Sequence, residues 1–219
     1  MNTQRLLIAT SNPHKVEEIG AILNDGGEGV ELLTLADVGL AEMPEPVEDA
    51  DTFEGNAVIK AEAYAAAAGM AVVGCLADDS GLVVDALDGA PGVYSARYAG
   101  VGDTRAERDT ANNRKLIEVL GDTPAAQRSA RFVCVVAYAV PGGETVTARG
   151  TFEGRIITAN EAADPAVPWR GRGANGFGYD PLFWLEDVGM TSAELTPEAK
   201  HARSHRGAAV QALRDRLSL

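Results

Sequence analysis

An apolar run at residues 72–76 leads directly into Ala77-Asp78-Asp79-Ser80-Gly81-Leu82. The run asks for a buried strand, and two adjacent carboxylates at its end can hold a hard cation and activate water. Asp, Ser and Gly are also the ordinary residues of a β-turn, and taken alone the segment reads as a turn joining two strands. The expectation is therefore strands over 70–77 and 82–84 flanking an Asp-Asp turn. Side chains alternate along extended chain, so Asp78 and Asp79 need not reach the same side.

The chain has 219 residues, 46% of them hydrophobic, which is enough for a full core in one domain or two closely joined lobes. No repeat or low-complexity linker divides it. A formal net charge of -13 argues against a general nucleic-acid or membrane-surface binder, since those present basic excess to phosphate. A polyanionic ligand would have to be met by a local cluster of bases or by a metal ion. Cys75 and Cys134 lie in separate apolar runs without metal-binding spacing, as expected of free buried thiols in a reducing cytoplasm. The apolar stretches at 6–9 and 132–140 are too short for a signal-peptide core or a membrane span.

Residues 5–10 read as a short buried strand. Val16, Ile19, Gly20 and Leu23 then recur at helical spacing until Asn24-Asp25-Gly26-Gly27. A second strand is expected over 30–35, then an acidic, Pro-containing loop over 42–51. Asp51 and Glu54 suggest a cap pair opening an Ala-rich helix that runs to Ala68. Thr104 with Glu107 opens another helix, to Leu120. Residues 131–140 and 145–157 suggest an antiparallel hairpin turning at Pro141-Gly142-Gly143, with an interruption at Gly150. Thr196-Pro197-Glu198 reads as a cap and first turn, and a last helix spans 207–217. Strand-helix-strand units beside a hairpin imply an α/β fold with a mixed sheet flanked by helices.

Asn12-Pro13 forms a helix N-cap and first-turn pair directly after a strand, where free amides and Lys15 would favour phosphate. The same residues also suit a capped surface helix with a solvated Lys. Asn56 and Lys60 share a helix face with Phe53, while Ala57, Ala61, Ala65 and Ala68 supply the core contact on the neighbouring face. Phe177, between Gly176 and Gly178, can offer a ring face to a purine or plug the core.

Six segments occur together in one order. They are Thr10-Ser11-Asn12-Pro13-His14-Lys15; Thr52-Phe53-Glu54-Gly55-Asn56 leading to Lys60; the Asp78-Asp79 run; residues 89–98; Asn175-Gly176-Phe177-Gly178-Tyr179-Asp180-Pro181; and Ser204-His205-Arg206-Gly207. In this the chain resembles, over nearly its whole length, the inosine triphosphate pyrophosphatase family. These house-cleaning enzymes convert dITP, ITP and XTP to monophosphate and pyrophosphate. The resemblance implies a single domain over 1–219, an elongated mixed sheet in two lobes with an active-site cleft between them, and a cytoplasmic homodimer. Thr10, Asn12 and Lys15 match the family's phosphate-gripping Thr-x-Asn-x-x-Lys, with Ser11, Pro13 and His14 in the same segment. Lys60 and Lys200 would contact the phosphates. Glu48 and Asp79 would hold Mg2+, Glu45 being the obvious substitute for Glu48. Asp79 would also be the general base, with Asp78 modulating its charge. Phe177, Gly178, Tyr179, Asp180, His205 and Arg206 would surround the base, with Ser80 near the substrate.

Two stretches depart from the family pattern: residues 160–174, readable as a lid, an oligomer contact or a surface insertion, and Gly26-Gly27-Glu28-Gly29. A pyrophosphatase of the septum-site inhibitor type is the nearest rival, and a nucleotide-binding module that does not cleave its ligand comes from another class. The turn after the first strand lacks the dinucleotide-binding glycines, Asp78 and Leu82 replace the glycines of a nucleophile elbow around Ser80, and there is no Walker-type loop.

Overall fold

Strand β1 (Gln4–Ile8) is the apolar segment from which the sheet grows on both sides. A computed structural model describes residues 4–24 and 30–217. The helices are α1 (Pro13–Asn24), α2 (Phe53–Ala68), α3 (Arg105–Leu120), α4 (Pro197–His201) and α5 (His205–Leu217). The other strands are β2 (Val30–Leu33), β3 (Gly74–Val84), β4 (Ser129–Ala139), β5 (Val146–Ile156), β6 (Phe183–Leu185) and β7 (Met190–Thr191). Hydrogen bonding orders them β2-β1-β3-β4-β5-β6-β7. β1 runs parallel to both β2 and β3, with Leu6 opposite Leu32 and Gly74, whereas β5, β6 and β7 pair antiparallel. The sheet is mixed, as the alternation of crossover helices and hairpins requires.

The chain divides into two compact units. The first comprises residues up to Ser80, 134–151 and those from His205 onward. Its core joins Leu6, Ile8, Leu76, Cys134, Val136 and Ala148 to Ile19 and Leu23 of α1 and Ala209, Val210 and Leu213 of α5. The second comprises residues 81–133 and 152–204. Leu82, Val84, Leu116, Leu120, Ile156 and Leu182 build its core around Phe183, whose ring lies 4.5 Å from Phe132 and 5.4 Å from Phe152.

Several elements follow local signals in the sequence. Thr104 and Glu107 form a reciprocal capping box, Thr196 accepts from Ala199 N, and Gly143 N closes the expected turn onto Val140 O at 2.9 Å. Ala57, Ala61 and Ala65 are buried, as the helical face predicts, whereas Ala68 at the helix end is half-buried. Five expectations need correction. No turn interrupts β3: Asp78, Asp79, Ser80 and Gly81 lie inside one continuous strand. Its edge is satisfied locally by Ser95, whose Oγ accepts from Leu82 N at 2.8 Å. The cap of α2 is Thr52, not Asp51, its side chain accepting from Gly55 N at 3.1 Å. The second strand stops at Leu33 because Thr34 N donates to Asp37 Oδ2 at 2.8 Å and starts a turn. β5 is unbroken at Gly150, and α5 begins at His205 rather than Gly207.

Gly150 serves close approach. A Cβ there would lie 2.5 Å from Ala209 N and nearer still to His205 O, so the missing side chain lets the start of α5 lie against β5. Residues 160–174 belong to the second unit, where Arg114 stacks 4.3 Å from the Trp169 ring and Glu161 pairs with Arg155. Asp25 to Gly29 lie outside the described residues. Gly150→Val is expected to lower unfolding free energy by about 1–3 kcal/mol, the usual cost of overpacking, as a shifted midpoint in urea denaturation.

Candidate active site

β3 carries Asp78 and Asp79 on opposite faces, and each finds a different set of partners within the first unit. Asp78 is 2% exposed. Lys15 Nζ approaches its Oδ1 at 3.0 Å and its Oδ2 at 2.9 Å, and Arg206 Nε donates to Oδ2 at 3.1 Å. Arg206 is itself shared: Nη1 donates to Glu18 Oε2 at 2.8 Å and Nη2 to Ser80 Oγ at 3.3 Å. Burial alone would raise the Asp78 pKa, but Lys15, Arg206 and Lys60 outweigh it and hold the carboxyl far below its usual range. Asp78 is thus a permanently charged counter-ion. Burial, reinforced by Asp78, pushes the Cys134 thiol well up, and burial pushes Cys75 up to about 12, so both stay neutral thiols.

Asp79, 8% exposed, faces α2 and the acidic loop. Asn56 Nδ2 donates to its Oδ2 at 3.1 Å and Ser80 N to its Oδ1 at 2.9 Å. Asn56 Oδ1 accepts from Ala50 N at 3.0 Å, so one amide ties the loop to the strand. Lys60 pairs with Glu48 at 3.1 Å. Burial raises the Asp79 pKa and Glu48 adds to the rise, against Lys60, Asn56 and the Ser80 amide. Burial would lower the Lys60 pKa, but Asp78, Glu48 and Asp79 raise it overall, which keeps the ammonium charged. Lys60, Asn56, Glu48 and the Ser80 amide thus act on Asp79, while Asp78 is paired with Lys15 and Arg206. Glu45 instead accepts from Ser11 Oγ at 3.3 Å.

Thr10 Oγ1 accepts from Asn12 N at 3.2 Å, and Lys15 N and Val16 N both bond to Asn12 O, so α1 starts where the Asn-Pro pair predicts. The side chains of Pro13 and His14 lie outside the described residues. His205 is half-buried at the start of α5.

The glycine-rich loop belongs to the second unit. Asp180 is buried, with Oδ2 accepting from Phe177 N at 2.8 Å and pairing with Lys200, and Oδ1 accepting from Ser192 Oγ at 2.9 Å. Gly176, at φ +81°, leaves room for this pair: a Cβ would strike Asp180 Oδ2 and Lys200 Nζ. Tyr179 donates to Ser95 O at 2.8 Å, and its burial pushes the phenol pKa upward. Phe177 is 48% exposed, with the Arg105 guanidinium 4.4 Å from its ring centroid.

Motif reading passed over Glu18, which pairs with Arg206 from the far end of the chain, and Ser192, whose partner Asp180 is distant in sequence. Asn56 stood out by its spacing, but nothing local showed it bridging the loop to Asp79.

The fold is a mixed α/β sheet flanked by helices, and its first unit gathers the carboxylates of Glu48 and Asp79 with the charged ammonium of Lys60. The chain belongs to the Ham1 family, whose profile matches residues 6–216. It is 48% identical over 209 residues to the dITP/XTP pyrophosphatase of Exiguobacterium sibiricum, covering 95% of this chain and 94% of that one. It is 46% identical over 213 residues to the dITP/XTP pyrophosphatase of Geobacter sulfurreducens, covering 97% and 96%. Among solved structures, a HAM1 protein from Coxiella burnetii superposes with TM-score 0.81 at 34% identity, covering 99% of both chains. A nucleoside-triphosphatase, dITP/XTP pyrophosphatase, from Mycobacterium abscessus does so with TM-score 0.71 at 42% identity, covering 98% of this chain and 100% of that one. The family and the mixed α/β fold agree with the resemblance read from the motifs.

The two carboxylates are expected to separate in stability measurements. Asp78→Asn strands Arg206 and Lys15 and should cost about 3–5 kcal/mol in urea unfolding at pH 7. Because folding lowers the Asp78 pKa, its contribution is complete above the unfolded value of about 3.9 and declines as pH falls toward the folded one. Folding raises the Asp79 pKa, so its charged form opposes folding as pH rises through that value. Asp79→Asn should therefore leave stability at pH 7 unchanged or higher.

Proposed function

We propose that this chain is a magnesium-dependent nucleoside triphosphate pyrophosphatase that hydrolyses dITP, ITP and XTP to the monophosphate and pyrophosphate. The observation that carries the reading is Asp79, buried in a strand, held by Asn56 and the Ser80 amide and influenced by both Glu48 and Lys60. The family membership and the names of the relatives agree with it.

The donor set fits magnesium. Glu48 and Asp79 offer hard oxygen ligands, and a cation would relieve the like-charge effect that raises the Asp79 pKa. Magnesium commonly takes one or two carboxylates and completes its sphere with water and phosphate, which agrees with the lack of any group of three or more His, Cys, Asp or Glu ligands among the described residues. When bound, the ion neutralises phosphate oxygens and acidifies the attacking water.

Asp79 accepts the proton of that water as its oxygen attacks the α-phosphorus, and the bond from the α-phosphorus to the bridging oxygen breaks to release pyrophosphate. Lys60 stabilises the charge that moves onto the departing oxygens. Lys15, with Thr10, Ser11 and Asn12 beside it, serves the phosphates after partly exchanging Asp78 for them, and Lys200 is assigned to the phosphates as well. Ser80 contributes through Arg206 to this surface. In the second unit Phe177 offers its exposed ring to the purine, and the loop through Gly178, Tyr179 and Asp180 reads the edge of the base. His205 and Arg206, at the start of α5, are assigned to the base, and Arg206 at the same time donates to Asp78, Glu18 and Ser80.

A purine with a carbonyl at position six accepts hydrogen bonds that adenine, with an amine there, would leave stranded at a cost of about 1–3 kcal/mol each. The reading extends to a cytoplasmic homodimer. Neutral buried thiols suit a reducing compartment, and no helix among the described residues is long and apolar enough to cross a membrane.

A nucleotide panel assayed for pyrophosphate release with magnesium tests the proposal. ITP, dITP and XTP should be cleaved far faster than ATP and GTP, and Asp79→Asn should lower turnover at least ~100-fold, the scale of a lost general base. Nucleotide binding without pyrophosphate release would make the protein a non-cleaving binder.

A further inference from the structure

Helix α3 presents Arg105, Asp109 and Asn113 at successive four-residue steps, which puts them on one face. All three meet the glycine-rich loop within the second unit. Gly178 N donates to Asp109 Oδ2 at 3.1 Å, and Asn113 Nδ2 donates to Gly178 O at 3.0 Å, so one residue is gripped through both halves of its backbone. Arg105 covers the Phe177 ring at 4.4 Å and stands 4.0 Å from Asp109.

Gly178 has φ +60° and no atom within 4 Å of where a Cβ would be, so side-chain packing does not hold the loop there. Between Phe177, tied to Asp180, and Tyr179, tied to Ser95, its own backbone is held by the two hydrogen bonds. Asn113 is 6% exposed, and among the described residues its Oδ1 is the buried side-chain polar atom without a partner. An amide kept only for packing would be replaced at little cost by an apolar side chain; this one leaves its acceptor unpaired while its donor serves the Gly178 carbonyl. The orientation of the amide follows from that bond.

We infer that Asp109 and Asn113 are positioning residues for base selection, holding the Gly178 backbone so that the Phe177 ring and the adjoining peptide groups meet the purine at one fixed angle. The inference rests on the proposed assignment of this loop to the base. It predicts an effect on recognition of the base and none on the phosphates, because the bonds of Asp109 and Asn113 go to the Gly178 backbone and not to Asp79, Lys60 or Lys200.

The test compares wild type with Asp109→Ala, Asn113→Ala and Asp109→Asn, measuring kcat and KM for ITP, XTP, GTP and ATP, and inhibition by inorganic tripolyphosphate, which has no base. Each alanine variant should raise KM for ITP and XTP about 3- to 10-fold, the range for one lost hydrogen bond, and narrow their advantage over GTP and ATP. kcat should stay within about twofold and tripolyphosphate inhibition should not change, since a base-positioning defect acts on binding alone. Asp109→Asn keeps an acceptor for Gly178 N and should restore most of the loss. Equal losses on all nucleotides and on tripolyphosphate, or a fall in kcat alone, would overturn the inference. If Asn113→Ala does not fold, Asp109→Ala decides, because Asp109 is only half-buried. A wild-type enzyme without preference for six-carbonyl purines overturns the base assignment itself, whereas a preference that survives both alanine substitutions overturns only the role given to Asp109 and Asn113.

Discussion

The placement of two consecutive carboxylates in the interior of β3 is the constraint to which the first unit conforms. A buried charge without a partner costs several kcal/mol, so a strand carrying two of them can persist only if each face delivers compensation. Asp78 receives it from cations, Lys15 and Arg206, and becomes a fixed negative charge. Asp79 receives an amide donor and a backbone N–H, with Glu48 close enough to act against its charge. One carboxylate is thereby made inert and its neighbour left with a raised affinity for a proton. Identical side chains, one residue apart, differ because the pleat turns them toward different company.

The ionic chain Lys15-Asp78-Arg206-Glu18 links three elements that are far apart in sequence: α1, β3 and the start of α5. Its charges balance, two positive against two negative, which is the condition for a buried network to be retained. Gly150 contributes sterically, since the close approach of α5 to β5 is what brings Arg206 into the interior. Packing and electrostatics are not separable here: the guanidinium reaches Asp78 because a β-carbon is missing from another strand.

In the second unit the same economy of charge appears in Asp180, which joins the Phe177 amide, Ser192 and Lys200 around one buried carboxylate. The loop has little apolar anchoring apart from Tyr179, and its conformation is a matter of hydrogen bonds. Such loops keep their shape only when each backbone group is accounted for, which explains why α3 turns polar residues toward it while Leu116, Ile117 and Leu120 enter the core.

The sequence by itself determined the succession of strands and helices, because periodicity and caps are local: Thr104 with Glu107, Thr196 with Pro197 and the Pro141-Gly142-Gly143 turn act within a few residues. It also displayed the motif residues, Lys15, Lys60, Asp79 and the glycine-rich loop, in an order that resembled one family. The tertiary structure alone decided that the Asp-Asp segment is strand and not turn. Turn propensity is a preference among neighbouring residues, and it yielded to partners 63 and 128 positions away, Lys15 and Arg206, whose charges only folding brings to Asp78. The same holds for Glu18, for the bridge made by Asn56 and for the grip of Asp109 and Asn113 on Gly178. A carboxylate or an amide carries no local signature of the group it will meet, so these roles arise only where separate stretches of chain are packed together.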